Sequence, residues 1–259
     1  MGTITKNRFA GIFQNPDKKL SLYITAGYPA LNDTVPLLKM VQDSGIDFIE
    51  IGMPFSDSIM DGPTILKSHE IALKNGMNLN ILFEQLEAVR SQISIPVVLM
   101  GSMNPVYQYG FEQFCKRCSQ AGVDGLLLPD LPVIDFKKFY HGFYKQYDLA
   151  PVFMITPQTS DTRLDLIDES GEGFLYAVSG NSITGAGNNI TDNVVYFEKL
   201  NNKKLKNPIV VGFNINTKED INFVQRYASG AIVGSAFIKV LENGIDQEKI
   251  KSFIEQLRK

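Results

Sequence analysis

The chain has 259 residues, 44% of them apolar and 20% charged, and its formal charge at pH 7 is −3. That balance excludes a disordered polymer, a nucleic-acid coat and a polybasic membrane anchor. The apolar runs at 96–100 and 125–128 are too short to span a bilayer. The N-terminus lacks the apolar core of a secretory leader, and Lys6 breaks the myristoylation pattern. The expectation is a cytoplasmic protein that binds neither nucleic acid nor membrane.

In chain order, a helix is expected over 7–14, then a strand over 20–25 and a helix over 33–44. A strand over 48–52 is followed by a loop with Asp57 and Asp61. Strands over 96–101, 125–129, 151–156, 173–179, 208–213 and 231–234 follow, with helices over 111–121, 135–147, 161–170, 193–200 and 218–227 between them. A short helix over 237–242 and a last one over 247–257 close the chain. Asp33, Asp161 and Thr217 stand where helix N-caps are wanted, and Ser44-Gly45 and Ala121-Gly122 where helices should stop. The eight strands are continuous in apolar character, as strands buried on both faces require. Eight strand–helix units in one 1–259 domain without a linker fit a (β/α)8 TIM barrel, its N-terminal helix closing the bottom. An open doubly wound sheet would want a Gly-x-Gly-x-x-Gly turn after the first strand; Ala26-Gly27-Tyr28-Pro29 stands there instead.

The two cysteines, Cys115 and Cys118, fall inside a helix, and the two histidines, His69 and His141, lie far from them in sequence. The pair reads as half-buried thiols, and no cluster has metal-ligand spacing. No lysine stands at a strand end for Schiff-base chemistry; Lys67 and Lys239 both fall in helices.

A barrel carries its active site at the C-terminal ends of the strands. There Glu50 interrupts an apolar strand. Burial should raise its pKa, which suits a group that gives and takes a proton, unless an ion pair with a neighbouring strand holds it. Asp61 is either a helix cap or a second working carboxylate. The small-residue loop 179–187, the run Val211-Gly212-Phe213-Asn214, and Gly234-Ser235 ahead of a short helix together suggest a phosphate site. The implied chemistry is acid–base work by carboxylates on a phosphorylated small molecule.

The runs Ile49-Glu50-Ile51-Gly52-Met53-Pro54-Phe55-Ser56-Asp57 and Asp61-Gly62-Pro63-Thr64-Ile65 resemble the signature of the tryptophan synthase alpha chain family. Further matches span the chain, among them Thr25-Ala26-Gly27-Tyr28-Pro29, Pro129-Asp130-Leu131-Pro132, Ser182-Ile183-Thr184-Gly185 and Gly234-Ser235-Ala236. The resemblance implies retro-aldol cleavage of indole-3-glycerol phosphate to indole and glyceraldehyde 3-phosphate in tryptophan biosynthesis. It assigns Glu50 as acid–base catalyst and Asp61 as the carboxylate that stabilises the ring nitrogen. It puts Tyr23 and Tyr176 beside the substrate, and Thr184, Gly185, Gly212, Phe213, Gly234 and Ser235 around the phosphate. It further implies an α2β2 complex with a beta chain that carries pyridoxal phosphate, and no cofactor or metal in this chain.

The chain departs from the family pattern in several places. Loop 57–61 reads Asp-Ser-Ile-Met-Asp where Asp-Pro-Leu-Ala-Asp is usual. Ser102 replaces a larger residue, Gly180 replaces an arginine after Ser179, and Asn214 replaces a glycine. A Cβ at 214 would hinder approach of the backbone to phosphate, although asparagine tolerates unusual dihedrals. Two other readings follow from these changes. One is a weakened alpha chain that mainly activates a beta partner; the other is a retuned phosphate-sugar lyase or isomerase on the same barrel.

Overall fold

The computed structural model describes residues 7–179 and 190–258. Its eight strands are β1 (Lys19–Thr25), β2 (Phe48–Gly52), β3 (Val97–Met100), β4 (Gly125–Leu127), β5 (Ala150–Ile155), β6 (Leu175–Val178), β7 (Ile209–Gly212) and β8 (Gly230–Val233). All pair in parallel and in sequence order, and β8 returns to β1 to close a barrel. Closure leaves no strand edge unpaired. Only Met154 among the strand residues is more than slightly exposed, which explains the unbroken apolar runs. The expected (β/α)8 barrel is the observed fold.

The helices fill the connections. After α1 (Phe9–Ile12) come α2 (Thr34–Asp43), α3 (Pro63–Lys74), α4 (Leu79–Val89), α5 (Met103–Tyr109), α6 (Phe111–Ala121), α7 (Val133–Asp135), α8 (His141–Gln146) and α9 (Asp161–Ser170). They are followed by α10 (Val194–Asn202), α11 (Lys218–Val224), α12 (Ser235–Val240) and α13 (Gln247–Arg258). The expected helix over 135–147 is broken into α7, a π-turn at Phe136–Tyr140 and α8. The short helix after β8 starts two residues earlier than expected, so Ser235 is its first residue and Gly234 its cap.

Local start signals hold in part. Thr217 forms a reciprocal capping box with Asp220. Asp33 caps α2 without a side-chain bond to the helix; its carboxylate accepts from Ala30 N instead. Asp161 is inside α9, and the cap is Ser160, whose hydroxyl accepts from Arg163 N at 3.3 Å. Both stops are as read: Gly45 and Gly122 adopt positive φ.

At the N-terminal mouth of the barrel, α1 acts as the expected plug, although it is shorter than 7–14. The Phe9 ring lies 5.9 Å from Phe48 and 5.8 Å from Phe174, and those two are 5.4 Å apart. Arg8 forks onto Asp124, its Nη2 2.6 Å from Oδ2, while Asp124 also accepts from Val97 N. The plug seals one mouth and leaves the other for chemistry.

Cys115 and Cys118 are free thiols on the core face of α6 and fully buried, not half-buried. Burial raises Cys115 to about 12 and Cys118 well above its ordinary value, so neither is a thiolate at neutral pH. Among the described residues no helix is long and apolar enough to cross a membrane.

Candidate active site

Strand β2 alternates its side chains. Phe48 reaches the plugged mouth, and two residues on Glu50 points the same way at mid-barrel. Glu50 is 1% exposed, and neither carboxyl oxygen has a hydrogen-bond partner. The strands do hold one lysine that the sequence reading did not count, since β1 begins at Lys19, but no ion pair to Glu50 forms among the described residues. Burial, aided by the negative charge of Asp61, raises the Glu50 carboxyl to about 8. It is therefore protonated at neutral pH and close enough to its midpoint to ionise.

Glu50 forms the floor of a cavity of about 350 Å3. Seven of the ten expected site residues line it: Glu50, Asp61, Tyr23, Tyr176, Phe213, Gly234 and Ser235. The tyrosines stand on β1 and β6, and burial raises the pKa of both. Gly234 and Ser235 line it at the start of α12, beside β1, where a Cβ on Gly234 would stand 3.6 Å from that of Tyr23.

Gly212 is not on the wall. It lies beneath Tyr176, where an added Cβ would stand 1.9 Å from the phenol oxygen. Its missing side chain makes room for that ring. Gly52 does the same for Tyr23, with 1.8 Å to the oxygen. Thr184 and Gly185 lie outside the described residues, as does the Gly180 substitution. The Ser179 hydroxyl ties the two loop starts by donating to the Phe213 carbonyl. Phe213 and Asn214 both adopt left-handed backbone, φ 66° and 53°. Asn214 thus occupies a conformation that glycine would take freely and asparagine tolerates better than most residues.

Asp61 is no helix cap. Gly62 caps α3 with Pro63 in the first turn, and the Asp61 carboxylate turns back across the loop. It accepts from Ser58 Oγ at 2.5 Å and lies 4.0 Å from His69 Nδ1. Asp57, by contrast, is exposed and, among the described residues, bonded only to the neighbouring Ser56 hydroxyl.

A second cavity of about 310 Å3 adjoins the first, and Tyr23, Asp61 and Met100 line both. Four of the departures noted above, Ser58, Ile59, Met60 and Ser102, line this second chamber. They leave the Glu50 floor untouched and reshape the outer one.

Among the polar lining residues to which the sequence reading gave no site role, His69 and Lys239 bear most on the chemistry. His69, on α3, is 3% exposed and hydrogen-bonded to Tyr23. Lys239 lines the first cavity one helical turn after Ser235. The i to i+4 spacing on a helix following Gly-Ser was a usable signal for Lys239. No local pattern marked His69.

The assembly is thus a (β/α)8 barrel whose open mouth holds a buried carboxyl and a loop carboxylate in one cavity with a small-residue wall. The family model described as tryptophan synthase alpha chain matches residues 9–258. The chain is 48% identical over 254 residues to the tryptophan synthase alpha chain of Christiangramia forsetii, covering 97% of this chain and 98% of that one. It superposes on the tryptophan synthase alpha subunit of Legionella pneumophila with a TM-score of 0.87, at 30% identity and 98% coverage of each chain. In the tryptophan synthase complex of Pyrococcus furiosus the matching chain gives a TM-score of 0.81 at 34% identity, with 93% of this chain and 98% of that chain covered. The chain belongs to the tryptophan synthase alpha chain family.

Proposed function

We propose that this chain cleaves indole-3-glycerol phosphate to indole and glyceraldehyde 3-phosphate, with Glu50 as the acid–base catalyst and Asp61 as the electrostatic partner of the ring. The observation that carries the reading is the Glu50 carboxyl: buried, without a partner, raised to about 8, and at the floor of the cavity that Asp61 also lines. A carboxyl left so costly to ionise is out of place in a merely structural strand.

The chemistry balances with one carboxyl. Protonated Glu50 delivers its proton to indole C3, which leaves positive charge on the ring nitrogen. The Asp61 carboxylate accepts the ring N–H and stabilises that charge. Glu50, now ionised, takes the proton from the hydroxyl on the carbon attached to C3. That oxygen becomes the aldehyde oxygen, the C–C bond breaks, and its electrons return to the ring as indole leaves. Glu50 ends protonated, ready for the next turn.

Tyr23 and Tyr176 pack against the substrate. The phosphate sits against Phe213, Gly234 and Ser235; Gly212 acts from beneath by giving Tyr176 its place, and Thr184 and Gly185 are phosphate partners on the family resemblance alone. The Lys239 ammonium on the same wall adds positive charge. Residues 1–259 form one barrel domain, which works in the cytoplasm without a cofactor of its own. Its partner is a tryptophan synthase beta chain in an α2β2 arrangement. The likeness to a chain of the Pyrococcus complex supports that partnership. Pyridoxal phosphate belongs to the beta chain.

Indole release by the purified chain tests the reading, alone and with a beta chain added. Indole formed from indole-3-glycerol phosphate in step with glyceraldehyde 3-phosphate supports it. Release only in the presence of the beta chain favours the weakened-partner reading. No release in either case refutes it.

A further inference from the structure

His69 has no role in the mechanism above, yet it is buried where the two cavities meet. Helix α3 brings it there through two consecutive bonds to β1. Ser68 Oγ lies 2.6 Å from Thr25 Oγ1, and His69 Nε2 lies 2.9 Å from Tyr23 Oη. Ser68 also donates to the Ile65 carbonyl, so Thr25 is the donor to Ser68. The imidazole is therefore fixed to the barrel wall, not to the loop that carries Asp61.

Its tautomer follows from its neighbours. Nδ1 faces the Phe55 carbonyl at 3.4 Å and Asp61 Oδ2 at 4.0 Å, and both are acceptors. A bare Nδ1 would set its lone pair against two oxygens, so Nδ1 carries the proton. Nε2 is then bare and accepts the Tyr23 hydroxyl proton. Burial lowers the His69 pKa, in keeping with a neutral ring. One neutral imidazole thus orients Tyr23 on one side and presents an N–H to the 53–62 loop on the other.

We infer that His69 is a positioning residue: its Nδ1–H is the fixed dock for the Asp61 carboxylate, and its Nε2 aims the Tyr23 hydroxyl. In the arrangement seen, Asp61 is held by Ser58, a donor on its own loop. A shift of about 1 Å would bring Oδ2 into hydrogen-bond range of Nδ1. Ser58 is a local partner that travels with the loop, whereas His69 is anchored to α3 and β1. Transfer of Asp61 from the first to the second registers the carboxylate against the barrel, where it must meet the ring N–H. The Glu50 floor and the Gly234–Ser235 wall do not touch His69, which lines only the second cavity. The effect therefore falls on turnover, not on phosphate binding.

This inference rests on the proposed reaction, and its test keeps the two apart. Asparagine and glutamine divide the imidazole between them. In His69→Asn the amide nitrogen stands about where Nδ1 stands, and in His69→Gln the amide oxygen stands about where Nε2 stands. His69→Leu removes both. The full-length chain is assayed for kcat and KM in indole release, for glycerol phosphate affinity, and for hydrogen–deuterium exchange of backbone amides 55–62. His69→Leu and His69→Gln should each lower kcat by about tenfold or more, the usual effect of misplacing a catalytic group by an ångström. Glycerol phosphate affinity should stay within about twofold, since none of its contacts change. His69→Asn should recover most of kcat. Exchange in 55–62 should rise in the leucine and glutamine variants and return to the wild-type level with asparagine.

Equal recovery by glutamine and asparagine, or a parallel fall in phosphate affinity, would overturn the docking role. Should the leucine variant fail to fold, the glutamine–asparagine contrast decides alone, because glutamine keeps the partner of Tyr23. A wild-type chain that releases no indole refutes the reaction. The docking inference then stands or falls on the exchange pattern, and unchanged exchange in all three variants defeats it.

Discussion

Replacing Glu50 with glutamine should abolish activity and at the same time make the protein more stable. The carboxyl titrates at about 8 in the folded chain against an ordinary value of 4.5. Between those values the folded state binds a proton that the unfolded state releases, so stability falls as pH rises. The contribution of the protonated group is fully present below 4.5 and is lost as pH climbs through about 8. The slope approaches about 1.4 kcal/mol per pH unit inside the window, so the cost by pH 7 is about 3 kcal/mol. Glutamine cannot ionise, and its unpartnered amide is desolvated much as the protonated acid is. Glu50→Gln should therefore match the wild type below pH 4.5 and melt about 6–12 °C higher near pH 7, at 2–4 °C per kcal/mol for a chain of this size. Melting curves of both proteins from about pH 4 to about pH 9 measure this, and the difference between them cancels all other titrating groups. A difference that does not grow with pH would refute a desolvated Glu50. In the same samples indole release should fall by more than ~10²-fold, and wild-type turnover should decline as pH passes the Glu50 midpoint, because the first step spends the carboxyl proton. Retention of more than about a tenth of the activity would remove Glu50 from the catalytic role.

Other perturbations separate the remaining parts of the site. Asp61→Asn should cut turnover by about 10²-fold while glycerol phosphate binding stays within about twofold; a change in melting temperature alone, with turnover kept, would leave Asp61 a purely structural loop residue. Lys239→Met should weaken glycerol phosphate binding by about two- to fivefold, a modest loss because the ammonium is exposed to water, and calorimetric titration that finds no change would take Lys239 out of the phosphate site. Asn214→Ala should cost about 1 kcal/mol in denaturant unfolding, because φ is 53° there, whereas Asn214→Gly should cost almost nothing. Equal losses in the two variants would refute the left-handed turn.

The strands, most helices and both carboxylates were legible in the sequence because each has a local cause. A run such as Val97–Met100 declares burial on both faces, and Gly122 declares a helix stop. The elements that escaped show where local reading fails. Helix α4 had a usable signal in the spacing of Leu82, Phe83, Leu86 and Val89, and Asn78 caps it by accepting from Asn80 N and Ile81 N. Helix α5 was hidden by Pro105, which reads as a breaker but falls in the first turn, where its missing N–H costs nothing. The π-turn at Phe136–Tyr140 has no sequence signature of its own.

Within the site the division is sharper. A carboxylate inside an apolar strand announced Glu50 by chemistry alone, since burial without purpose is costly. The sequence left Asp61 open between cap and partner, because cap position and loop position look alike along the chain. Only the closed barrel decided it, by setting Gly62 as the cap and turning Asp61 toward Ser58 and His69. Gly212 entered the sequence reading only as part of a phosphate run; the room it makes for the Tyr176 phenol arises from β6 and β7 lying side by side. The Tyr23–His69 bond joins residues 46 positions apart. Composition and period report what each segment must bury. Which polar groups then face one another depends on strand order and register, and that is settled only when β8 meets β1 and the ring closes.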